Sequence, residues 1–175
     1  MVEGWLKLTD IPAEGREFSF ETTPEWIKFV SKFHLEFKLK SPLVMVLTIF
    51  PQKKGFLIQG TLQGYALFPC DRCLEPAKIE IKSSFDFFEE FEPQEIELLG
   101  ERLLRYVDDH FELNVFQVLW EQFLLALPEK KLCQKNCKGL CPKCGQNLNQ
   151  GECSCEQDNG DPRLSIFRQL KINSK

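Results

Sequence analysis

No stretch of this 175-residue chain approaches the roughly 20 consecutive apolar residues that a membrane-spanning helix requires, so no membrane partner is expected. The opening Met1-Val2-Glu3-Gly4-Trp5 lacks the charged-then-apolar layout of a signal peptide, and the expected location is the cytoplasm. Histidine is scarce. His34 falls on the polar face of a predicted strand and His110 follows Asp108 and Asp109 in a predicted loop, so both are expected to be solvated. There is no HExxH pair, no phosphate-cradling glycine loop and no nucleophile elbow, and the chain is therefore expected not to be an enzyme. Positive charge is not in surplus either, with 22 Lys+Arg against 26 Asp+Glu, which argues against a broad electrostatic grip on nucleic acid by the main body.

What is abundant is apolar and sulfur-bearing. Hydrophobic residues make up 43% of the chain and include sixteen phenylalanines, enough for a sizeable core. Eight cysteines in a chain expected to meet a reducing compartment point to metal ligation rather than disulfides. Cys153 and Cys155, one residue apart, are poorly placed to bridge to each other. Charge is unevenly sorted: residues 1–128 hold 13 basic and 21 acidic side chains, whereas residues 129–175 hold 9 and 5. Ten of the acids lie between Asp86 and Glu112, a stretch whose basic residues are Arg102 and Arg105.

Period-two alternation predicts strands. Lys32 to Lys40 places four apolar residues on one face, and the apolar run from Leu43 to Phe50 reads as a strand buried on both sides. Residues 51–55 read as a turn. Beyond it Phe56, Ile58, Leu62, Ala66 and Phe68 share a face, with Gly60 and Gly64 marking bends or close backbone approach. Alternation resumes after Cys70-Asp71-Arg72-Cys73 with Ile79, Ile81, Phe85 and Phe87, which sets a CxxC at the tip of a β-hairpin. Residues 88–101 read as an exposed acidic connection or a short helix. Asn114 and Gln117 form a helix-start pair before Val115, Leu119, Trp120, Phe123 and Leu124 at helical spacing, with Pro128 as the stop. Asp161-Pro162 opens a short terminal helix carrying Leu164, Phe167 and Leu170. The predicted fold is α+β: an antiparallel β-sheet or partly closed barrel packed by a long helix over residues 1–128, then a cysteine-rich zinc-knuckle module over residues 129–175.

Tetrahedral zinc takes four soft ligands, commonly as two closely spaced pairs held by tight turns. Cys70 and Cys73 form one such pair, and Cys141-Pro142-Lys143-Cys144-Gly145 has the knuckle form. Cys133, Cys137, Cys153 and Cys155 flank the second. Spacing leaves the wiring open. Cys70 and Cys73 could meet Cys141 and Cys144, the six C-terminal cysteines could close a site among themselves, or all eight could fill two sites, for one or two zinc ions. Residues 133–160 have little apolar material and are expected to order only with metal. Lys130, Lys131, Lys135, Lys138 and Lys143 serve equally as counterions to a thiolate cluster or as RNA phosphate contacts, with Arg163 as a further candidate. A redox role for Cys70-Asp71-Arg72-Cys73 is disfavoured because a strand follows it, not the helix that would activate a thiol.

Several of these segments resemble the YceD-like family, the large ribosomal RNA subunit accumulation proteins. The likeness rests on Cys70-Asp71-Arg72-Cys73-Leu74-Glu75-Pro76, Leu124-Leu125-Ala126-Leu127-Pro128, the run from Cys137 to Asn149, and Asp161-Pro162-Arg163-Leu164. The acidic residue usual before the family's helix is replaced by Asn114, which can still cap. The resemblance implies a non-catalytic role in large-subunit (23S) ribosomal RNA accumulation and ribosome assembly, with ribosomal RNA or a large-subunit assembly intermediate as partner. An acidic, chaperone-like binder of a basic ribosomal protein is the alternative, and a CxxC thiol oxidoreductase is a third reading.

Overall fold

Alternation in the sequence becomes ladder geometry in the computed structural model, which describes residues 4–91 and 103–155. The elements in chain order are β1 (Trp5–Lys7), β2 (Arg16–Glu21), α1 (Pro24–Val30), β3 (Lys38–Leu39), β4 (Val44–Gln52), β5 (Gly55–Pro69), β6 (Pro76–Glu90), β7 (Leu104–Val107), β8 (His110–Asn114) and α2 (Val115–Leu125). The architecture is mostly antiparallel sheet with two short helices. One sheet joins β2, β4, β5, β6 and β3, and a smaller one runs β1-β8-β7.

The long hairpin of β5 and β6 is the spine. It pairs fifteen residues on each side, from Gly55 opposite Glu90 to Pro69 opposite Pro76, so residues 70–75 form its tip. The apolar face foreseen for β5 is buried at Phe56, Ile58, Leu62, Ala66 and Phe68, while Gln59, Thr61 and Gln63 face out. Gly60 permits close packing, since a Cβ there would fall 2.6 Å from the Phe85 ring and 2.7 Å from Leu47 Cδ2. The β4–β5 turn is tighter than expected: Gln52 pairs with Gly55, leaving Lys53 and Lys54 as the loop.

Three expectations change. β4 is not buried on both sides. Met45, Leu47 and Ile49 are fully buried, but Val44, Val46 and Thr48 line the half-exposed outer face, because nothing among the described residues covers that side as the core covers the other. The strand expected over residues 32–40 shrinks to β3. Residues Ser31–Phe33 continue α1 as a 3-10 turn, and His34, with φ 54°, ends it. Leu35, Phe37 and Leu39 still alternate in burial. However, β4 occupies β5 up to Gln63, and β3 pairs only with Leu67 and Ala66 beyond it. The β-ladders also leave the larger sheet open, with no closed barrel among the described residues.

Helix α2 is eleven residues, not long. Asn114 caps it by accepting from the Gln117 N–H at 3.1 Å, while the Gln117 side chain turns forward to Glu121 instead of closing a reciprocal box. Its buried face holds Val115, Val118, Leu119, Trp120, Gln122 and Phe123, whereas Leu124, expected on that face, is exposed. Phe123 meets Trp26 edge-on at 6.0 Å and Phe68 at 6.1 Å. Trp26 is wholly buried, and its indole N–H donates to the Phe116 carbonyl at 3.2 Å, which ties α1 to α2. Burying each such large apolar side chain contributes about 1.5–3 kcal/mol.

The smaller sheet was not foreseen. His110, expected in a loop, belongs to β8, and its side chain is 12% exposed with Nε2 3.1 Å from Glu112 Oε1. The acidic connection or short helix expected over residues 88–101 starts later than foreseen, because residues 88–90 are still paired with β5 in β6; residues 92–102, and the helix expected after Asp161, lie outside the described residues. No helix among the described residues is long and apolar enough to cross a membrane.

Candidate metal centres

The eight cysteines gather into two tetrads, Cys70/Cys73/Cys133/Cys137 and Cys141/Cys144/Cys153/Cys155, with the four sulfurs of each lying within 4.8 Å of one another. The first is assembled across the chain. At the hairpin tip the Cys70 N–H donates to the Glu75 carbonyl at 2.8 Å and the Leu74 N–H to the Cys70 carbonyl at 2.9 Å. Leu74, with φ 63°, completes the reversal. The segment after α2 is then stitched to this tip from both sides. The Asp71 N–H donates to the Lys131 carbonyl at 2.8 Å, and the Lys131 N–H donates to Asp71 Oδ2 at 2.6 Å. Six residues further on, Arg72 Nη1 donates to the Cys137 carbonyl at 2.7 Å, and the Leu140 N–H returns to the Arg72 carbonyl at 3.1 Å. Cys133 and Cys137 are thereby carried to Cys70 and Cys73.

The second tetrad is local. The Cys141 N–H donates to the Gln146 carbonyl at 2.8 Å and the Gly145 N–H to the Cys141 carbonyl at 2.9 Å, which closes the knuckle. Cys153 and Cys155 complete it from the same short stretch. The pairing of Cys70 and Cys73 with Cys141 and Cys144, held open from sequence, is not formed; four of the six C-terminal cysteines do gather among themselves, and the eight fall into the two sets of four that were the third arrangement left open. The Asp71–Lys131 bonds bring Cys133 and Cys137 to the hairpin first, and the remaining four thiols are the ones close together in the chain.

The donor sets fit a tetrahedral ion. Four sulfurs about 2.3 Å from a common centre lie about 3.8 Å apart along the tetrahedron's edges. Cys70 Sγ is 3.9 Å from Cys137 Sγ, and Cys73 Sγ is 3.5 Å from Cys133 Sγ. Burial differs between the sites: Cys70, Cys73, Cys137 and Cys141 are buried, Cys133, Cys153 and Cys155 partly so, and Cys144 is exposed.

Thiol acidity is split within each cluster. Burial opposes the Cys70 thiolate, but the backbone amides of Arg72, Cys133 and Cys73 outweigh it and bring its pKa down to about 6. Burial and the neighbouring Cys73 sulfur push Cys133 up to about 12. Burial likewise works against the Cys137 thiolate, yet Asn149, whose Nδ2 donates to Sγ at 3.3 Å, helps to bring its pKa down. In the second tetrad the amides of Cys144 and Lys143 lower Cys141 to about 6, while the Cys144 sulfur and burial raise Cys155 to about 12. Sulfurs this close cannot all carry charge unless a cation shares the space, which is the electrostatic condition of a metal-thiolate site.

The lysines separate into two kinds. Lys131 is held by Asp71, with Nζ 3.6 Å from Oδ1, and Nζ lies 5.9 Å from the Phe68 ring. Lys130, Lys135, Lys138 and Lys143 are exposed. Arg163 lies outside the described residues. Sequence reading missed Asn149 and Gly139 as supports of the first tetrad. Gly139, at φ +79°, packs so that a Cβ would lie 3.1 Å from the Arg72 carbonyl oxygen.

The family model described as "Large ribosomal RNA subunit accumulation protein YceD" matches residues 58–171, a span that includes every cysteine. A chloroplastic large ribosomal RNA subunit accumulation protein YCED homolog 1 of Arabidopsis thaliana is 26% identical over 158 residues, 74% of this chain and 49% of the relative. The protein of the same description from Zea mays is 23% identical over 148 residues, 69% of this chain and 50% of the relative. An uncharacterized protein of Mycobacterium tuberculosis is 28% identical over 99 residues, 54% of this chain and 46% of the relative. The chain thus spans about half the length of the curated relatives it matches. No solved structure matches it.

Proposed function

This chain belongs to the YceD family of large ribosomal RNA subunit accumulation proteins, and on that premise we propose that it is a non-catalytic, zinc-bearing factor supporting large-subunit ribosomal RNA accumulation. The observation that carries the metal part is the pair of four-thiol clusters inside the family match. A closed set of four sulfurs suits zinc in a structural role, because no ligand position is left for water or substrate. The thiols of Cys70 and Cys73 belong to such a set at a hairpin tip, at the N-terminus of no helix among the described residues, which supports ligation over redox chemistry. A zinc ion held by four thiolates carries a formal charge of about −2, and nearby lysines offset it.

Exposed Lys130, Lys135, Lys138 and Lys143 are the module's proposed contacts to RNA phosphates or to a large-subunit assembly intermediate. Lys131 is left out of that set because Asp71 holds it. A reducing compartment such as the cytoplasm keeps the thiols available for metal. Metal analysis of the purified protein should return two zinc ions per chain. Depleting the protein in its own cell should lower 23S ribosomal RNA relative to the small-subunit RNA, and restoring the gene should bring it back. Unchanged 23S levels on depletion overturn the ribosomal reading, and a metal-free protein with the same fold overturns the zinc reading.

A further inference from the structure

The larger sheet has an outer face that no described element covers, and its charges are sorted along the β5–β6 hairpin. At the end far from the tip the outward side chains include Glu17, Asp86 and Glu90. Towards the tip they become basic. Lys38 on β3 and Lys78 on β6 both sit opposite Leu67 of β5, on either side of it, and Lys82 lies opposite Gln63. Lys40 follows directly after β3, and all four lysines are exposed. None of Lys38, Lys40 and Lys82 makes an ion pair among the described residues. Glu36 and Glu80 share this region and Glu21, opposite Val44 in the row that runs on through Gln63 to Lys82, borders it, so four lysines stand against three acids on a chain whose net charge is −4.

An aromatic ring stands in the middle of these cations. Tyr65 on β5 points outward, is 44% exposed, and has Lys78 Nζ 3.9 Å from its ring centroid. Two residues along the same face, Leu67 leads into an open groove of about 540 Å³ lined also by Leu35, Phe37, Lys38, Leu74 and Pro76. Cations spaced across three strands, roughly 10 Å in all, around one exposed ring and beside an apolar groove, match what a single nucleic acid strand offers. Its phosphates pair with placed cations, and its unpaired bases present faces for stacking.

We propose that this end of the outer sheet face, centred on Tyr65 with Lys38, Lys40, Lys78 and Lys82, binds single-stranded RNA. The inference rests on the RNA-linked function proposed above and adds a surface distinct from the lysines of the cysteine-rich module. An acidic peptide would use the lysines but not the ring, which is why RNA is the occupant the surface favours.

The test uses the full zinc-loaded chain and a labelled single-stranded RNA of mixed sequence, about 16 nucleotides long, read by fluorescence anisotropy over a salt series. Wild type should bind, and Lys38→Gln/Lys78→Gln/Lys82→Gln should weaken binding and reduce the slope of log K against log salt by about 2, near 0.7 for each lost phosphate contact. Tyr65→Ala should cost roughly tenfold while Tyr65→Phe stays close to wild type. Circular dichroism on every variant checks that the sheet is intact. A surface that prefers the same sequence as a duplex, or that binds poly-glutamate with the same lysine dependence and no Tyr65 dependence, overturns the proposal. So does RNA binding that falls only with Lys135→Gln/Lys138→Gln/Lys143→Gln, and in that outcome the function proposed above still stands. Failure of that function would instead be read from unchanged 23S RNA after depletion.

Discussion

Glu112 is a carboxylate held inside the smaller sheet, where Arg105 Nη2 reaches Oε2 at 2.7 Å, His110 Nε2 reaches Oε1 at 3.1 Å, and Lys7 is its register partner on β1. Hydrogen bonds from Arg105 and His110 hold its pKa below the ordinary 4.5. A carboxyl whose folded pKa is depressed stabilises the fold above its unfolded pKa and loses that contribution as pH falls through the folded value. Glu112→Gln should therefore be less stable than wild type at neutral pH, and the gap in denaturation midpoint should close as pH drops below about 4.5. A gap that stays constant across that range would mean the Arg105–Glu112 ion pair contributes nothing. Gly139 and Gly145 offer a second contrast at this scale. Both have positive φ, at +79° and +75°, but a Cβ at Gly139 would press on the Arg72 carbonyl while one at Gly145 would meet nothing within 4 Å. Asparagine tolerates this backbone better than other side chains do. Gly145→Asn should then leave stability and metal content almost unchanged, whereas Gly139→Asn should loosen the first tetrad and speed zinc loss to a chelator.

At the scale of elements, the N-terminus of α2 rests on Asn114, whose Oδ1 accepts from the Gln117 N–H and whose own N–H donates to the Leu103 carbonyl at 2.8 Å. Asn114→Ala should cost about 1 kcal/mol in urea unfolding, and Asn114→Asp should recover most of it because a carboxylate both caps and meets the helix dipole. That cap was legible in the sequence, as were β5 and β6, since alternation over a long hairpin with one buried face leaves little choice of register. The two-residue β3 was not. Whether Leu35, Phe37 and Leu39 pair depends on how much of β5 is left over by β4, which is a tertiary outcome. The sheet of β1, β7 and β8 escaped for a related reason: its strands are three to five residues long, and β1 lies far along the chain from the short β7–β8 hairpin it joins. The spacing of the cysteines pointed to clustering of their thiols, but their partition into tetrads was decided by Asp71 and Arg72 bonding to the segment after α2. Nothing in a CxxC spacing carries that information.

For the molecule as a whole, the two tetrads do different mechanical jobs. The first joins residues 70–73 to residues 133–137 and so clamps the chain after α2 onto the hairpin tip, reinforced by the paired bonds of Asp71 and Lys131 and by Arg72. The second closes residues 141–155 on themselves and has an exposed member in Cys144. With the proposed ion in each tetrad, sulfur exposure and loop size both make the second site the easier to empty, and emptying it should leave the body untouched. Cys144→Ser/Cys155→Ser should therefore lower the zinc content from two ions to one while amide exchange in β5 and β6 stays at the wild-type level. Cys70→Ser/Cys73→Ser should also remove one ion, but it should expose the amides of Asp71 and Lys131 and raise protease sensitivity between Glu129 and Leu140, because the clamp itself is gone. In the wild-type protein a chelator should then draw zinc in two phases, the faster one assigned by its absence in Cys144→Ser/Cys155→Ser. A single phase, or identical exchange patterns in the two double variants, would mean that the clusters share one site and that the clamp is held by its hydrogen bonds alone.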